Sequence, residues 1–385
     1  MVGVSAPSDP SSKSPVPDRN PAGYAVVGLG WISQAAVLPA FENARRNSRL
    51  VALVSGDATK RRALAERYGL PHSATFDYDG FDACLERDDV DAVYIALPNH
   101  LHREYTVRAA RKGVHVLCEK PMAVTAEECS DMIDACRRNE VRLMVAYRLH
   151  FEPANLHAVE RVRSGALGST RIFSSTFTQQ VAEGDIRLAS PDRGGGPLYD
   201  IGIYCINAAR YLFGAEPDLV WATRATRPQE RFEESEEAQT CVLRFPGQRL
   251  AMFTCSFGAH AVSTLQLVGD EGEIRMDNAF NFSGDRRFRL AGADREEDRV
   301  FAQTDQFGPQ LLYFSDCILE GRDPEPDGEE GLVDIRIIRA FYESLRDGRI
   351  VRLSVERQRR PGPEQTIVCP AIEEPELIGA DEPSA

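Results

Sequence analysis

The chain has 385 residues, 43% of them apolar and 27% charged, and its formal net charge is −14 at pH 7. This length predicts about two domains, and the acidic balance argues against a nucleic-acid-binding surface, which usually carries a basic excess. No run approaches the roughly 18 apolar residues of a membrane span, so we expect a soluble protein with no membrane partner.

The first twenty residues are rich in Ser, Pro and Asp and contain no apolar segment. They predict a flexible arm at residues 1–20 rather than a secretory signal, and therefore a cytoplasmic protein. The nine cysteines form no Cys-x-x-Cys pair and no Cys/His cluster with zinc-ligand spacing. We interpret them as reduced, buried residues, and we expect neither a disulfide framework nor a metal site.

The globular chain opens with the pattern of a dinucleotide site. A short strand at 24–27 runs into Gly28-Leu-Gly30 and then into a helical pattern that continues to residue 41. In such a turn Gly28 allows the tight bend, Gly30 lets the pyrophosphate approach the backbone, and the helix amino terminus supplies N–H donors. Ser33 replaces the third glycine of the usual fingerprint. The residues of this turn predicted to contact the cofactor are Gly28, Gly30, Trp31 and Ile32.

The second strand ends, at Ser55 and Gly56, without the acidic residue that binds the adenosine ribose in NAD sites. Lys60 and Arg61 follow within two helical turns. A hydroxyl donor and nearby cations suit the 2′-phosphate of NADP, which is held best by charge-assisted hydrogen bonds, so we predict contacts from these four residues to NADP. In the alternative, the basic residues form a solvated helix face and Asp57 takes the NAD role.

A buried strand at 90–97 leads into a turn that contains a proline and two histidines, Pro98-Asn99-His100-Leu-His102. Pro98 ends the strand, and Asn99 or His102 can cap the following helix. A metal site at the two histidines would need a third ligand that this turn lacks. The positions predicted to contact the cofactor here are Leu97, Pro98, Asn99 and His102.

The stretch from Gly113 to Pro121 has the pattern of a short buried strand that ends in a charged pair and a proline, Glu119-Lys120-Pro121. The carboxyl ends of strands line the ligand crevice of an open parallel sheet, so Glu119 and Lys120 are candidates for cofactor contact. A lysine in this place can also orient a substrate hydroxyl and lower the pKa of a neighbouring acid or base. In the alternative, the pair is solvated surface charge.

The second half of the chain changes to period-two alternation, which predicts a largely antiparallel sheet with one covered face. The alternating segments lie at 171–180, 219–226, 237–245, 249–258, 263–268 and 273–276. Helices are predicted at 153–164, at 198–212 after a triple glycine, and at 330–347. The predicted organisation is an arm at 1–20, a dinucleotide-binding Rossmann domain at 21–147, an α+β substrate and oligomerisation domain at 148–355, and a tail at 356–385.

Four motifs occur in the order and spacing of the Gfo/Idh/MocA oxidoreductases, namely Gly28-x-Gly30, Leu97-Pro98-Asn99-x-x-His102, Glu119-Lys120-Pro121 and Gly194-Gly195-Gly196-x-x-Asp200-x-Gly202-x-Tyr204. Over residues 22–355 the chain resembles that family, and within it the glucose–fructose and aldose–aldose oxidoreductases. The resemblance implies an α/β Rossmann domain followed by an α+β domain with a large, mostly antiparallel, open-faced sheet. It also implies NADP across the crevice, sugar between the domains, and a cis peptide bond between Lys120 and Pro121.

In an enzyme of that kind, oxidation of an aldose at its anomeric carbon requires a base near the reacting hydroxyl. Tyr204 is our candidate, with Lys120 lowering its pKa. Asp200, four residues earlier on the same helix face, would hold a second hydroxyl or orient Lys120. Arg148 and Arg187 are weaker candidates for contacts with cofactor or sugar. In the alternative, Tyr204 is a core aromatic residue and Asp200 is a carboxylate favoured by the helix dipole.

The predicted function is NADP-dependent hydride transfer from one sugar to tightly bound NADP and then to a second sugar, in ping-pong fashion. The resemblance further implies that residues 1–20 cover the adenine of a neighbouring subunit. Two alternatives are an ordinary aldose, polyol or dihydrodiol dehydrogenase with dissociable NAD(P), and an NADP-binding regulatory protein. The exposed sheet face predicts a homodimer or homotetramer.

Overall fold

The computed structural model describes residues 20–292, 295–356 and 361–380. Within these residues, six strands form one parallel sheet in the order β3-β2-β1-β4-β5-β6. The strands are β1 (Ala22–Val27), β2 (Ser48–Val54), β3 (Thr75–Phe76), β4 (Ala92–Ile95), β5 (His115–Cys118) and β6 (Leu143–Val145). This is the strand order of a dinucleotide-binding Rossmann domain, so the predicted α/β fold is confirmed. All but the last residue of the predicted arm at 1–20 lies outside the described residues.

Helices cover both faces of this sheet, which is why every residue of β1 and β4 is buried. They are α1 (Leu38–Ala40), α2 (Ala58–Arg67), α3 (Phe81–Leu85), α4 (His102–Arg111) and α5 (Ala126–Arg138). A π-helical stretch (Ser33–Val37) leads directly into α1. At the start of α5, Thr125 and Glu128 form a capping box.

A second sheet has nine strands, counted over the described residues, in the order β14-β13-β12-β11-β7-β10-β9-β8-β15. Its neighbours are antiparallel except for the parallel pair β7 and β10. The strands are β7 (Thr170–Gln180), β8 (Leu219–Ala225), β9 (Ala238–Phe245), β10 (Arg249–Ser256), β11 (Gly258–Gly269), β12 (Gly272–Asp277), β13 (Arg286–Gly292), β14 (Glu296–Phe301) and β15 (Val351–Arg352). The predicted mostly antiparallel sheet is therefore confirmed.

One face of the second sheet is covered by helices and the other is open. The helices of this half are α6 (Pro153–Arg163), α7 (Ile203–Phe213), α8 (Gly308–Glu320) and α9 (Gly328–Asp347). A π-helical stretch (Leu198–Gly202) leads directly into α7. Helix α7 packs on β7, and α9 packs on β8. On the open face, Ile172, Leu250 and Met252 are each 49% exposed.

Two parts of the chain fold differently from the sequence prediction. Helix α8 lies inside the predicted second domain but packs on the first sheet. Its Ser315 Oγ lies 2.8 Å from the Tyr24 hydroxyl on β1 and 2.7 Å from Ser48 Oγ on β2. The predicted tail also returns to the first half of the chain, where Asn43 Nδ2, in the turn between α1 and β2, donates to the carbonyl of Pro370 at 3.0 Å. Both segments therefore complete the packing of the dinucleotide-binding half.

All nine cysteines lie in the described part of the chain, and all are free and buried, as the sequence predicts. Among the described residues, no helix combines the length and the apolar character needed to cross a membrane. The cytoplasmic location stays a prediction.

Candidate active site

A cavity of about 420 Å³ lies at the carboxyl ends of β1, β2 and β4, where the first sheet faces the glycine run that precedes α7. Predicted site residues that line it are Gly28, Gly30, Ser55, Lys60, Leu97, Pro98, Asn99, Arg187 and Asp200. Lining residues that the sequence did not single out as ligand contacts include Tyr78, His100, Ile186, Ala189 and Arg193. The strand-end motifs therefore converge on one cavity, as the topology of a parallel sheet predicts.

The turn after β1 has the geometry that a dinucleotide requires. Gly28 has φ +91°, and a Cβ there would lie 2.3 Å from the carbonyl oxygen of Ala96, so only glycine fits. At Gly30, by contrast, nothing lies within 4 Å of the position of a Cβ, which leaves the backbone open to a ligand. Ser33, at the third position of the fingerprint, donates from its hydroxyl to the carbonyl of Gly28 at 2.6 Å. These residues fit a dinucleotide cofactor.

The end of β2 presents a hydroxyl and one cation to the cavity. Ser55 and Lys60 line it, whereas the guanidinium of Arg61 turns back and donates to the carbonyl of Ser55. Asp57 caps α2, because its carboxylate accepts from the backbone N–H of Lys60 at 2.9 Å, and this hydrogen bond lowers the pKa of Asp57. Gly56 makes room for a neighbouring ring, since a Cβ there would lie 3.3 Å from Tyr78.

Trp31 and Ile32, both predicted to contact the cofactor, point elsewhere. The Trp31 ring packs edge-on against Phe282, with 5.6 Å between the ring centroids. Ile32 packs against the hydrophobic core between the first sheet and α8. Neither lines the cavity.

His102 and Asn99 tie the site together rather than cap α4. Helix α4 begins without a side-chain cap, so the predicted capping role is wrong. Both ring nitrogens of the fully buried His102 lie within hydrogen-bond distance of backbone carbonyl oxygens, Nε2 2.8 Å from that of Leu97 and Nδ1 2.9 Å from that of Pro121. Asn99 Nδ2 donates to the carbonyl of Gly194 at 2.7 Å. Burial lowers the pKa of His102. In its neutral form the ring carries a single N–H and donates to one of its two carbonyls, that of Leu97 or that of Pro121.

Lys120 and Asp200 form an ion pair across the two halves of the chain. Lys120 Nζ lies 2.9 Å from Asp200 Oδ1 and donates to the Asp200 carbonyl at 2.8 Å. Asp200 Oδ2 lies 3.8 Å from Arg187 Nη1, and Arg187 also pairs with Asp185 at 2.6 Å. The peptide bond between Lys120 and Pro121 is cis, as the family resemblance implies.

The charges of this pair are fixed by their surroundings. Burial alone would raise the pKa of Asp200, but the cations of Lys120 and Arg187 outweigh burial and hold this pKa below its ordinary value. Burial alone would lower the pKa of Lys120, but Asp200 and other negative groups outweigh it and raise this pKa. At neutral pH Lys120 therefore stays protonated and Asp200 stays ionised.

Tyr204, one turn after Asp200, lies between two cations. Lys120 Nζ and the Arg148 guanidinium carbon each lie 4.8 Å from the centre of its ring. Arg148 is held there by bonds from Nη1 to Gln306 Oε1 at 2.6 Å and from Nη2 to the carbonyl of Phe280 at 2.5 Å. Within the described part of the chain, no hydrogen bond engages the Tyr204 hydroxyl, which leaves this group available to a ligand.

Glu119, the neighbour of Lys120, faces the interior rather than the cavity. Its carboxylate accepts from the Tyr94 hydroxyl at 2.7 Å and from the backbone N–H of Lys120 at 3.2 Å. Burial raises the pKa of Glu119. These contacts fix the backbone from which Lys120 projects.

Three cavity residues that were not among the predicted ligand contacts could have been found from their positions in the sequence. Tyr78 follows β3, whose carboxyl end lies at the same edge of the sheet as the other strand ends. Arg193 directly precedes the triple glycine, and His100 lies in the turn after β4. Burial and the nearby Arg193 cation lower the pKa of His100. Ile186 and Ala189 carry no comparable signal, because their approach to the cavity depends on long-range folding.

Comparisons with known proteins agree with this geometry. The family model described as an oxidoreductase family with an NAD-binding Rossmann fold, Gfo/Idh/MocA, matches residues 22–147. The model of the Gfo/Idh/MocA C-terminal domain matches residues 155–275. A D-xylose 1-dehydrogenase [NADP(+)] from Haloarcula marismortui is 34% identical over 340 residues, which cover 87% of this chain and 94% of that protein.

Solved structures give the same result. An aldose-aldose oxidoreductase from Caulobacter crescentus, complexed with glycerol, superposes with a TM-score of 0.82 at 38% identity, covering 87% of this chain and 100% of that chain. A 3-ketoreductase from Actinomadura kijaniata, in complex with NADP and TDP-benzene, superposes with a TM-score of 0.75 at 28% identity, covering 85% and 98%. The chain belongs to the Gfo/Idh/MocA family of NAD(P)-dependent oxidoreductases.

Proposed function

We propose that the protein oxidises the anomeric CH–OH group of an aldose with NADP as hydride acceptor. The observation that supports this most is the cluster of Lys120, Asp200 and Tyr204 beside the dinucleotide cavity. Sugar chemistry is supported by the Haloarcula protein, named a D-xylose 1-dehydrogenase, and by the Caulobacter protein, named an aldose-aldose oxidoreductase. When bound, NADP supplies a carbon that accepts a hydride.

The charges of the cluster favour Tyr204 as the group that exchanges a proton with the sugar. Lys120 and Asp200 hold each other in their charged forms, so neither is poised to gain or lose a proton near neutral pH. Acting as the phenolate, Tyr204 accepts the proton of the anomeric hydroxyl as the hydride leaves its carbon for the nicotinamide, and the resulting phenol returns a proton when a sugar carbonyl is reduced. The Lys120 ammonium stabilises the negative charge that develops on oxygen, and Asp200 keeps that ammonium in place.

The end of β2 favours NADP over NAD. Lys60 gives the cavity a cation beside the Ser55 hydroxyl, a combination that suits a 2′-phosphate. Asp57, the residue that would hold a ribose hydroxyl in an NAD site, already accepts the N–H of Lys60 as the cap of α2. The Haloarcula relative is named as an NADP(+) enzyme.

We further propose that NADP stays bound between turnovers, so that one sugar is oxidised and a second is reduced in ping-pong order. The name of the Caulobacter protein, an aldose-aldose oxidoreductase, supports an aldose in each half of such a reaction. The N-terminal arm is predicted to help retain the cofactor, but residues 1–19 lie outside the described residues.

The open face of the second sheet is proposed to pair with other copies of the chain as a homodimer or homotetramer. Ile172, Leu250 and Met252 place apolar side chains on this face, and Trp221 is 38% exposed beside them. Contiguous apolar surface of this kind marks an interaction site. Sedimentation velocity on the purified protein should give a dimer or tetramer, and a monomer would contradict the proposal.

Replacing Tyr204 with phenylalanine tests the proton-transfer role. Turnover should fall by about 10²- to 10⁴-fold, the loss expected for a missing acid or base, while NADP binding stays unchanged. Turnover is measured with an aldose panel, and NADP binding by fluorescence titration.

The matched control is Tyr199→Phe, which removes a buried hydroxyl that bonds to the carbonyl of Val124 at 2.7 Å in the same helical segment. This control should lose about 1 kcal/mol of stability and keep its turnover. Near-normal turnover in Tyr204→Phe would overturn the assignment.

Replacing Lys60 with alanine tests the preference for NADP. The dissociation constant for NADP should rise about ten- to hundred-fold, as expected for a lost charge-assisted hydrogen bond, while that for NAD changes little. The control is Arg62→Ala, an exposed cation of α2 that does not line the cavity. An equal loss for both cofactors, or no loss for either, would contradict the contact with the 2′-phosphate.

A further inference from the structure

The C-terminal segment crosses the outer side of the first two helices of the Rossmann half. Gln365 Nε2 donates to the carbonyl of Glu325 at 2.9 Å, where the segment begins. Further along, Asn43 Nδ2 donates to the carbonyl of Pro370 at 3.0 Å, and Arg67 Nη1 donates to the carbonyl of Glu376 at 2.7 Å. The segment thus passes from α8 toward the start of α2, close to the edge of the sheet where the cavity opens.

Gln34 joins the end of this segment to the glycine turn of the cofactor site. Its side chain is fully buried in the first turn of the helix that follows β1. Gln34 Nε2 donates to the carbonyl of Leu29 at 2.9 Å and to the carbonyl of Ile378 at 3.0 Å. Gln34 Oε1 accepts from the N–H of Ile378 at 2.8 Å. One buried amide therefore bonds to both backbone groups of Ile378 and to the turn between Gly28 and Gly30.

The next residue of the segment lies over the first turn of α2. A Cβ at Gly379 would lie 3.4 Å from Lys60 Cε and 3.9 Å from Asp57 Oδ2. Gly379 has φ +53°, a conformation that favours glycine. Lys60 lines the cavity, so the segment passes close to the aliphatic part of the side chain whose charged end is proposed to hold the 2′-phosphate.

We propose that residues 376–379 form a strap that ties together the first turns of the two helices flanking the adenosine end of the cofactor site. This inference rests on the proposed NADP-binding function and gives a structural reason for slow release of the cofactor. Those turns must separate for a bound nucleotide to leave, and the strap opposes that motion through Gln34 and Ile378 at one turn and Gly379 at the other. Gln34 is thus a positioning residue for the cofactor site.

Truncation separates the strap from the rest of the fold. A chain that ends at Pro375 lacks the strap, and a matched chain that ends at Ala380 keeps it. Both are loaded with NADPH, and the rate of release is measured from NADPH fluorescence after adding excess NADP. Release from the shorter chain should be about ten-fold faster or more, as expected when the three hydrogen bonds that join residues 376–378 to Arg67 and Gln34 are lost. Release from the longer chain should match that of the full-length protein.

Variants of Gln34 test its contact with the strap. Gln34→Met keeps the side-chain length but removes the amide, so it should also speed the release of NADPH. Combining it with the truncation at Pro375 should change the release rate little further, because both changes break the same contact. Additive effects of the two changes would contradict the role of Gln34.

Hydrogen exchange on the intact protein gives a test that needs no variant. The N–H of Ile378, which donates to Gln34, should exchange more slowly when NADP binds, and an unchanged rate would overturn the strap. Binding of NADPH to the full-length protein is measured first. Absence of binding would overturn the proposed function and the strap together, whereas equal release rates from the two truncated chains would overturn the strap alone.

Discussion

The ion pair between Lys120 and Asp200 is the contact on which the proposed site depends. Lys120 follows a strand of the parallel sheet, and Asp200 lies in the π-helical stretch before α7, so their bond joins both halves of the chain. The side chains of Lys120 and Asp200 are only 12% and 25% exposed, so removing one partner leaves the other charge largely uncompensated. The pair therefore holds α7 against the cofactor edge, with Tyr204 one turn further on. Asn99 reinforces the same boundary through the carbonyl of Gly194, whereas His102 links two strand ends within the first half.

Much of the fold and part of the site follow from local sequence patterns. The glycine turn after β1 and the strand ends at Ser55, Pro98 and Lys120 are each followed by a helical pattern or a proline, and parallel strands bring such ends to one edge. The capping box at Thr125 is likewise a local signal. Within the site, Asp200 and Tyr204, four residues apart, both lie beside Lys120.

What the sequence did not predict depends on contacts between distant segments or on unusual composition. Strand β14, at the edge of the sheet, is rich in acidic residues, and its neighbour β13 is rich in Arg, so charged residues obscure the apolar alternation in both. Helix α8 is apolar around most of its surface and so gives no stripe to indicate which sheet it covers. The position of Trp31 follows from its contact with Phe282, far along the chain, and that of His102 from carbonyls at two different strand ends. Bonds such as that from Gln34 to Ile378 span 344 residues.

The measurement that tests the central claim most directly is the absorbance spectrum of the purified full-length protein, recorded before and after adding an aldose without free cofactor. We expect the reduced-nicotinamide band to rise on addition of the aldose and to fall when a second sugar follows, because the hydride remains on cofactor that has not left the protein. A trace that responds only once NADP is supplied would contradict retained cofactor and favour an ordinary dehydrogenase. No response even with added NADP would contradict sugar oxidation itself.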